Sequence, residues 1–205
     1  MLTQNLNVEV DYMIRKGLFV VIGLLFLFTA CSNQPNIDTN MSKDVMDFEF
    51  TNQDNETVTL DDLKGEWWIA DFIFTNCTTI CLPMTSNMTK LQDMVNDANL
   101  EGVKFISFSV EPDYDTPEVL TEYAEGYSAD LNTWNFLTGY DFETIQEMSV
   151  KSFQSLLQEP PPGEDQVIHG TSFFLVDPEG TVVKRYDGVK TSSMDEILAD
   201  LEEVL

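Results

Sequence analysis

The chain has 205 residues, 43% hydrophobic, 11% aromatic and 22% charged, the composition of a globular protein of one or two domains rather than a disordered one. Ten Lys and Arg against 36 Asp and Glu give a formal charge of −26. That excludes a nucleic-acid binder, which needs a basic face for phosphates, and a surface drawn to anionic lipid headgroups. Three cysteines are too few for a disulfide-rich scaffold, and a single histidine rules out a His-rich metal cluster.

Residues 1–30 read as a lipoprotein-type signal peptide. Arg15 and Lys16 precede an apolar run from Gly17 to Phe28, shorter than the ~20 residues that span a bilayer. Phe28-Thr29-Ala30-Cys31 resembles a bacterial lipoprotein box, with Phe28 where Leu is usual, so Cys31 is the expected lipidation site and the lipid is the expected contact with the membrane. An uncleaved signal anchor is the alternative. Glu9 and Asp11 weaken the basic region, whereas a start at Met13 gives a cleaner signal. Losing residues 1–30 removes two charges of each sign and leaves the net charge at −26. Residues 31–45 are polar without apolar periodicity and are expected to form a flexible tether, followed by one domain over residues 46–205.

In that domain, Phe48–Phe50 and Val58–Leu60 flank Asn52-Gln53-Asp54-Asn55 as a hairpin. Trp67–Phe74 is a nearly continuous apolar run, suited to a strand covered on both faces. Met84, Met88, Leu91, Met94, Val95 and Ala98 then recur at helical spacing. Val103–Val110 predicts the next strand. Thr116-Pro117-Glu118 predicts a helix start with Thr at the N-cap and Pro at the first position. Asn135–Thr138 reads as a short strand, and Asp141 as the cap of a helix to about Ser149. Thr171–Asp177 and Thr181–Tyr186 form a hairpin around Asp177-Pro178-Glu179-Gly180, and Ser193–Leu205 an acidic amphipathic helix. This order defines an α/β sandwich with a parallel centre and an antiparallel hairpin at one side.

The chemistry concentrates at Cys77-Thr78-Thr79-Ile80-Cys81, after the buried strand and where a helix begins. Residues four apart share a helical face, and a helix start favours a thiolate. Such a pair can be a structural disulfide, a redox-active one, or a site for a soft or borderline metal ion. A disulfide closing so short a loop gains little entropically, which favours a functional role. His169 precedes the strand that begins at Thr171, whose approach lies near the dithiol in thioredoxin-like folds. Two thiolates and an imidazole suit copper as Cu(I) or Cu(II), whereas a zinc site of this kind would lack a base for hydrolysis. The cysteine spacing and the absence of proline before Phe173 separate the chain from ordinary thioredoxins. Met84 and Met88 belong to the apolar stripe and are expected in the core rather than on a metal.

Four blocks resemble the Sco/SenC family: Phe72–Met84, Ser107–Pro117, Trp134–Gly139 and Val167–Asp177, within residues 46–205. The resemblance implies a thioredoxin-like fold, here with an N-terminal β-hairpin extension, anchored on the extracytoplasmic face of the cell membrane. It implies copper held by Cys77, Cys81 and His169 and delivered to the dicopper CuA centre of cytochrome c oxidase subunit II. The chain departs from the family's Asp-Pro-x-x-Asp pattern, with Glu111 at the first acid and Asp115 at the second. Glu111, Asp113 and Asp115 are expected to cap a helix and line a solvated turn rather than ligate.

The rival reading is a thiol–disulfide oxidoreductase in which Cys77 and Cys81 form the redox pair, kept reduced by an extracytoplasmic thiol reductant, and reduce the cysteines of subunit II before metallation. A peroxiredoxin-like peroxidase fits less well: Phe74 stands three residues before Cys77, and no Arg lies between residues 16 and 184.

Overall fold

The computed structural model describes residues 36–77, 81–164 and 166–205, and Cys81 by its backbone alone. The expected signal peptide and Cys31 lie outside the described residues. In chain order the elements are β1 (Lys43–Asp44), β2 (Glu49–Asn52), β3 (Thr57–Thr59), a 3₁₀ turn (Asp61–Leu63), β4 (Trp67–Ile73), α1 (Cys81–Asp97), β5 (Val103–Ser109), α2 (Pro117–Gly126) and β6 (Trp134–Thr138). There follow α3 (Phe142–Lys151), β7 (Leu157–Gln158), β8 (Ile168–His169), β9 (Ser172–Val176), β10 (Thr181–Asp187) and α4 (Ser192–Val204).

Every residue of β4 is buried, as a strand covered on both faces requires. It pairs in parallel with β5, which pairs in parallel with β6, while β9 runs antiparallel along the other side of β4. The main sheet has eight strands in the order β1-β10-β9-β4-β5-β6-β2-β3. The predicted N-terminal hairpin therefore extends the sheet beyond β6 (Thr51 opposite Thr138), at the edge away from the β9–β10 hairpin. Gln53 locks the hairpin down, its side-chain oxygen accepting from the Phe136 N–H at 2.9 Å.

Alternation along β4 splits the core between two faces. Ile69 and Ile73 pack with Met84, Met88, Leu91 and Val95 of α1, Leu120 of α2 and Met194, Ile197 and Leu201 of α4. Trp68, Ala70 and Phe72 pack on the opposite face with Phe50, Phe108, Ile145, Met148 and Phe153. Met84 and Met88 are fully buried, as expected; Ala98 lies past the helix end and is exposed. The predicted caps are present: Thr116 accepts from the Val119 N–H, and Asp141 from the Thr144 N–H at 2.8 Å.

Ordered structure begins earlier than residue 46. The Asn40 side chain bonds the Arg185 backbone in both directions, Met41 N–H donates to the Val183 carbonyl at 3.0 Å, and β1 pairs with the edge strand β10. The C-terminal part of the expected tether is thus sheet edge, held by backbone pairing that needs no apolar pattern. The 2-stranded sheet of β7 and β8 was also unforeseen; it places Leu157 opposite His169, so the histidine sits in a strand of its own rather than in a plain approach to β9.

Candidate metal centre

The C-terminal end of β4, the start of α1 and the chain leading into β9 meet at one end of the sheet. After Ile73 the chain passes through Phe74 and Thr75-Asn76 to Cys77, which is 7% exposed and packs among apolar residues including Phe74 and Val167. Cys77 follows the turn after β4, and Cys81 is the first described residue of α1.

The His169 segment packs directly on this turn. The imidazole meets the Phe74 ring edge-on, with centroids 5.5 Å apart and planes at 82°. Gln166 lies against the Asn76 carbonyl at 3.5 Å. The ring's Nδ1 is 2.9 Å from the Gly170 carbonyl oxygen, a contact that fixes the tautomer with a proton on Nδ1 and leaves Nε2 as the electron-pair donor. Among the described residues, no group of three His, Cys, Asp or Glu forms a metal-holding set. Cys81's side chain, the expected third ligand, lies outside that search.

Of the three acids after β5, Asp115 departs most from expectation. It is fully buried. Its carboxylate accepts from Thr75 Oγ1 at 2.5 Å, from the Thr75 N–H at 3.3 Å and from Ser109 Oγ at 2.6 Å. Burial raises its pKa, and the Ser109 and Thr75 hydrogen bonds oppose that rise. Asp115 is therefore a brace for the turn that carries Cys77, not part of a solvated loop. Glu111 and the exposed Asp113 border a surface cavity of about 640 Å³ with Asn76, Tyr114, Glu159 and Glu164, which gives the rim beside Cys77 a negative charge.

A carboxylate that sequence reasoning passed over lies deeper. Asp71, in β4 opposite Ser107 of β5, is fully buried and accepts from Ser107 Oγ at 2.6 Å. Trp134 Nε1 donates to the same Ser107 oxygen at 2.9 Å, so the serine proton points to Asp71. The second Asp71 oxygen is buried with no hydrogen-bond partner. Burial pushes this carboxyl up to about 7, against the lowering effects of Ser107 and of the His169 charge. Its one sequence signal is a lone acid inside the apolar run Trp67–Phe74.

A sheet with a parallel centre between helical layers, and a cysteine pair where the central strand gives way to a helix, defines a thioredoxin-like α/β protein. The SCO1/SenC family profile matches residues 36–205, and the chain belongs to that family. A SCO1 protein homolog of Bacillus subtilis (strain 168) is 46% identical over 187 residues, 91% of this chain and 95% of the relative. The crystal structure of a SCO1/SenC family lipoprotein from Bacillus anthracis str. Ames is 47% identical, with a TM-score of 0.75 over 79% of this chain and 95% of that one. BsSco, described with a disulfide switch as a member of the Sco family of cytochrome c oxidase assembly proteins, is 45% identical, with a TM-score of 0.74 over 83% and 98% of the two chains. Bradyrhizobium japonicum ScoI with copper bound is 26% identical, with a TM-score of 0.63 over 78% and 98%. No described helix is long and apolar enough to cross a membrane.

Proposed function

We propose that this chain is a copper metallochaperone, lipid-anchored through Cys31 on the extracytoplasmic face of the cell membrane, that takes part in assembling the CuA centre of cytochrome c oxidase subunit II. Copper is its cargo, held by Cys77, Cys81 and His169. The observation that carries this reading is the packing of His169 on the Phe74 edge of the turn leading to Cys77, which joins the one imidazole of the chain to the dithiol region. The donor chemistry agrees: thiolates hold Cu(I), and an imidazole presenting Nε2 makes Cu(II) acceptable. Copper bound to the Bradyrhizobium relative and the assembly role of BsSco support the same reading. The lipoprotein description of the Bacillus anthracis relative supports the anchor. The acidic rim around Glu111 and Asp113 suits encounter with a positively charged acceptor face.

The test is a copper titration of the reduced chain. One copper binds per chain with a thiolate-to-copper charge-transfer band, and replacing Cys77 and Cys81 by Ala removes the band. A band that survives refutes the ligand assignment.

The disulfide switch of BsSco favours a second reading, in which Cys77 and Cys81 form a redox-active disulfide pair, recharged by an extracytoplasmic thiol reductant, and reduce the acceptor's cysteines. His169 separates the two. Oxidase assembly in a His169→Ala strain fails under the copper reading and proceeds without added copper under the redox reading.

A further inference from the structure

Among the buried residues of α1 is an amide. Asn87, between Met84 and Met88, is 7% exposed and belongs neither to the proposed copper ligands nor to the brace around Asp115. Its Nδ2 donates to the Gly188 carbonyl at 2.8 Å and to the Val189 carbonyl at 3.1 Å, and its Oδ1 accepts from Thr191 Oγ1 at 3.4 Å. One NH2 group with two N–H donors thus meets two carbonyls of the loop between β10 and α4, a match that a hydroxyl or a carboxylate cannot supply.

That loop in turn grips the chain that follows His169. The Gly188 N–H donates to the Thr171 carbonyl at 2.8 Å. The approach leaves no room for a side chain: a Cβ on Gly188 would lie 2.9 Å from the same carbonyl oxygen and 3.1 Å from the Phe173 ring. Thr171 stands two residues after His169. Asn87 stands six residues after Cys81, the first described residue of α1, or about 9 Å along the helix axis. Two hydrogen bonds in series, Asn87 to Gly188 and Gly188 to Thr171, therefore join the helix of one expected ligand to the segment of another. His169 needs such a hold, because β8 is two residues long and belongs to a 2-stranded sheet, a unit with little stability of its own.

We propose that Asn87 positions α1 against the His169 segment and so sets how the imidazole approaches the Cys81 end of the copper site. The proposal rests on the copper reading above and deepens it by naming what holds two of the three ligands in register. Cu(II) depends on the imidazole, whereas thiolates satisfy Cu(I), so the two oxidation states separate this role from a general contribution to folding.

The experiment is a competitive titration of the reduced full chain carrying Cys31→Ser, with Cu(II) and with Cu(I), in four forms: otherwise unaltered, Asn87→Ala, His169→Ala and the double variant. Asn87→Ala lowers Cu(II) affinity about tenfold, the low end of what losing an outer partner of a metal ligand costs, and leaves Cu(I) affinity within about twofold. In the His169→Ala background the same substitution changes Cu(II) affinity no further, because the imidazole it would misplace is gone. Gly188→Ala crowds the Thr171 carbonyl from the other side of the link; it reproduces the Cu(II) loss and is the deciding variant if Asn87→Ala does not fold. A folded Asn87→Ala chain with wild-type Cu(II) affinity, an equal loss with and without His169, or an unaltered Cu(II) affinity in Gly188→Ala overturns the proposal. A chain that binds no copper with Asn87 and all three ligands intact, or that keeps its full Cu(II) affinity in His169→Ala, refutes the copper reading itself.

Discussion

Asp115 holds Thr75: across 40 residues of sequence, a carboxylate from the loop after β5 accepts the threonine hydroxyl at 2.5 Å and its backbone N–H at 3.3 Å, two residues before Cys77. Ser109 completes the cage at 2.6 Å. The position of Cys77 is therefore set by a buried polar cluster as much as by the strand before it. Asp115→Ala leaves the buried Ser109 hydroxyl and the half-buried Thr75 hydroxyl and N–H without their acceptor. It should cost about 2–4 kcal/mol of stability in urea unfolding. Copper affinity should fall as well in whatever fraction stays folded. Unchanged copper binding in the folded Asp115→Ala chain would separate the brace from the site.

His169 depends on the glycine that follows it. A Cβ on Gly170 would come within 2.3 Å of Ser155 Oγ, too close to stand without movement of one chain or the other. Ser155 itself is buried, and its Cβ would lie at an ordinary 3.6 Å. Gly170→Ala should therefore displace the β7–β8 pair and weaken Cu(II) binding more than Cu(I) binding, because the imidazole is the ligand that moves. Adding Ser155→Ala removes the colliding oxygen and should restore Cu(II) affinity, as measured by competitive titration. Failure of this rescue would show that the loss has another origin.

Asp71 ties stability to pH with a definite sign. Its carboxyl is raised from the ordinary 3.8 to about 7 in the folded chain, so the folded state binds the proton more tightly than the unfolded one. Stability is full below about pH 4, falls as pH rises from 4 to 7, and is level above that as far as this group decides it. A shift of this size corresponds to about 4 kcal/mol. Asp71→Asn should be more stable than wild type at pH 8 and equal to it near pH 3.5. Parallel denaturation curves at all pH values would contradict the burial argument.

Much of the domain is legible in sequence because its strongest signals are local. Trp67–Ile73 is an unbroken apolar run because both faces of β4 are covered, and Thr116 and Asp141 announce their helices through side chains that bond three residues ahead. What escaped depends on partners distant in the chain. Both residues of β1, Lys43 and Asp44, are exposed and held by edge pairing and by the Thr181 hydroxyl donating to the Asp44 carboxylate, which leaves no apolar pattern. Leu157 and His169 pair across an intervening Pro-rich loop in strands too short for a period to register. Asp115 resembles a solvated turn acid until its partners, Thr75 and Ser109, are brought round it. Cys77 and His169 were legible as rare residue types flanking buried strands. Their association was expected only through the thioredoxin-like placement of the chain before β9 and the family resemblance; the contacts on which the His169 segment rests, the Phe74 ring and β7, left no signal of their own.

X-ray absorption at the copper edge of the loaded chain tests the central claim most directly. The account predicts two sulfur scatterers and one imidazole nitrogen around a single copper, with the nitrogen lost in His169→Ala and the sulfurs lost when Cys77 and Cys81 are replaced. A copper surrounded by oxygen or nitrogen alone in the unaltered chain, or an imidazole signal that persists in His169→Ala, would contradict it.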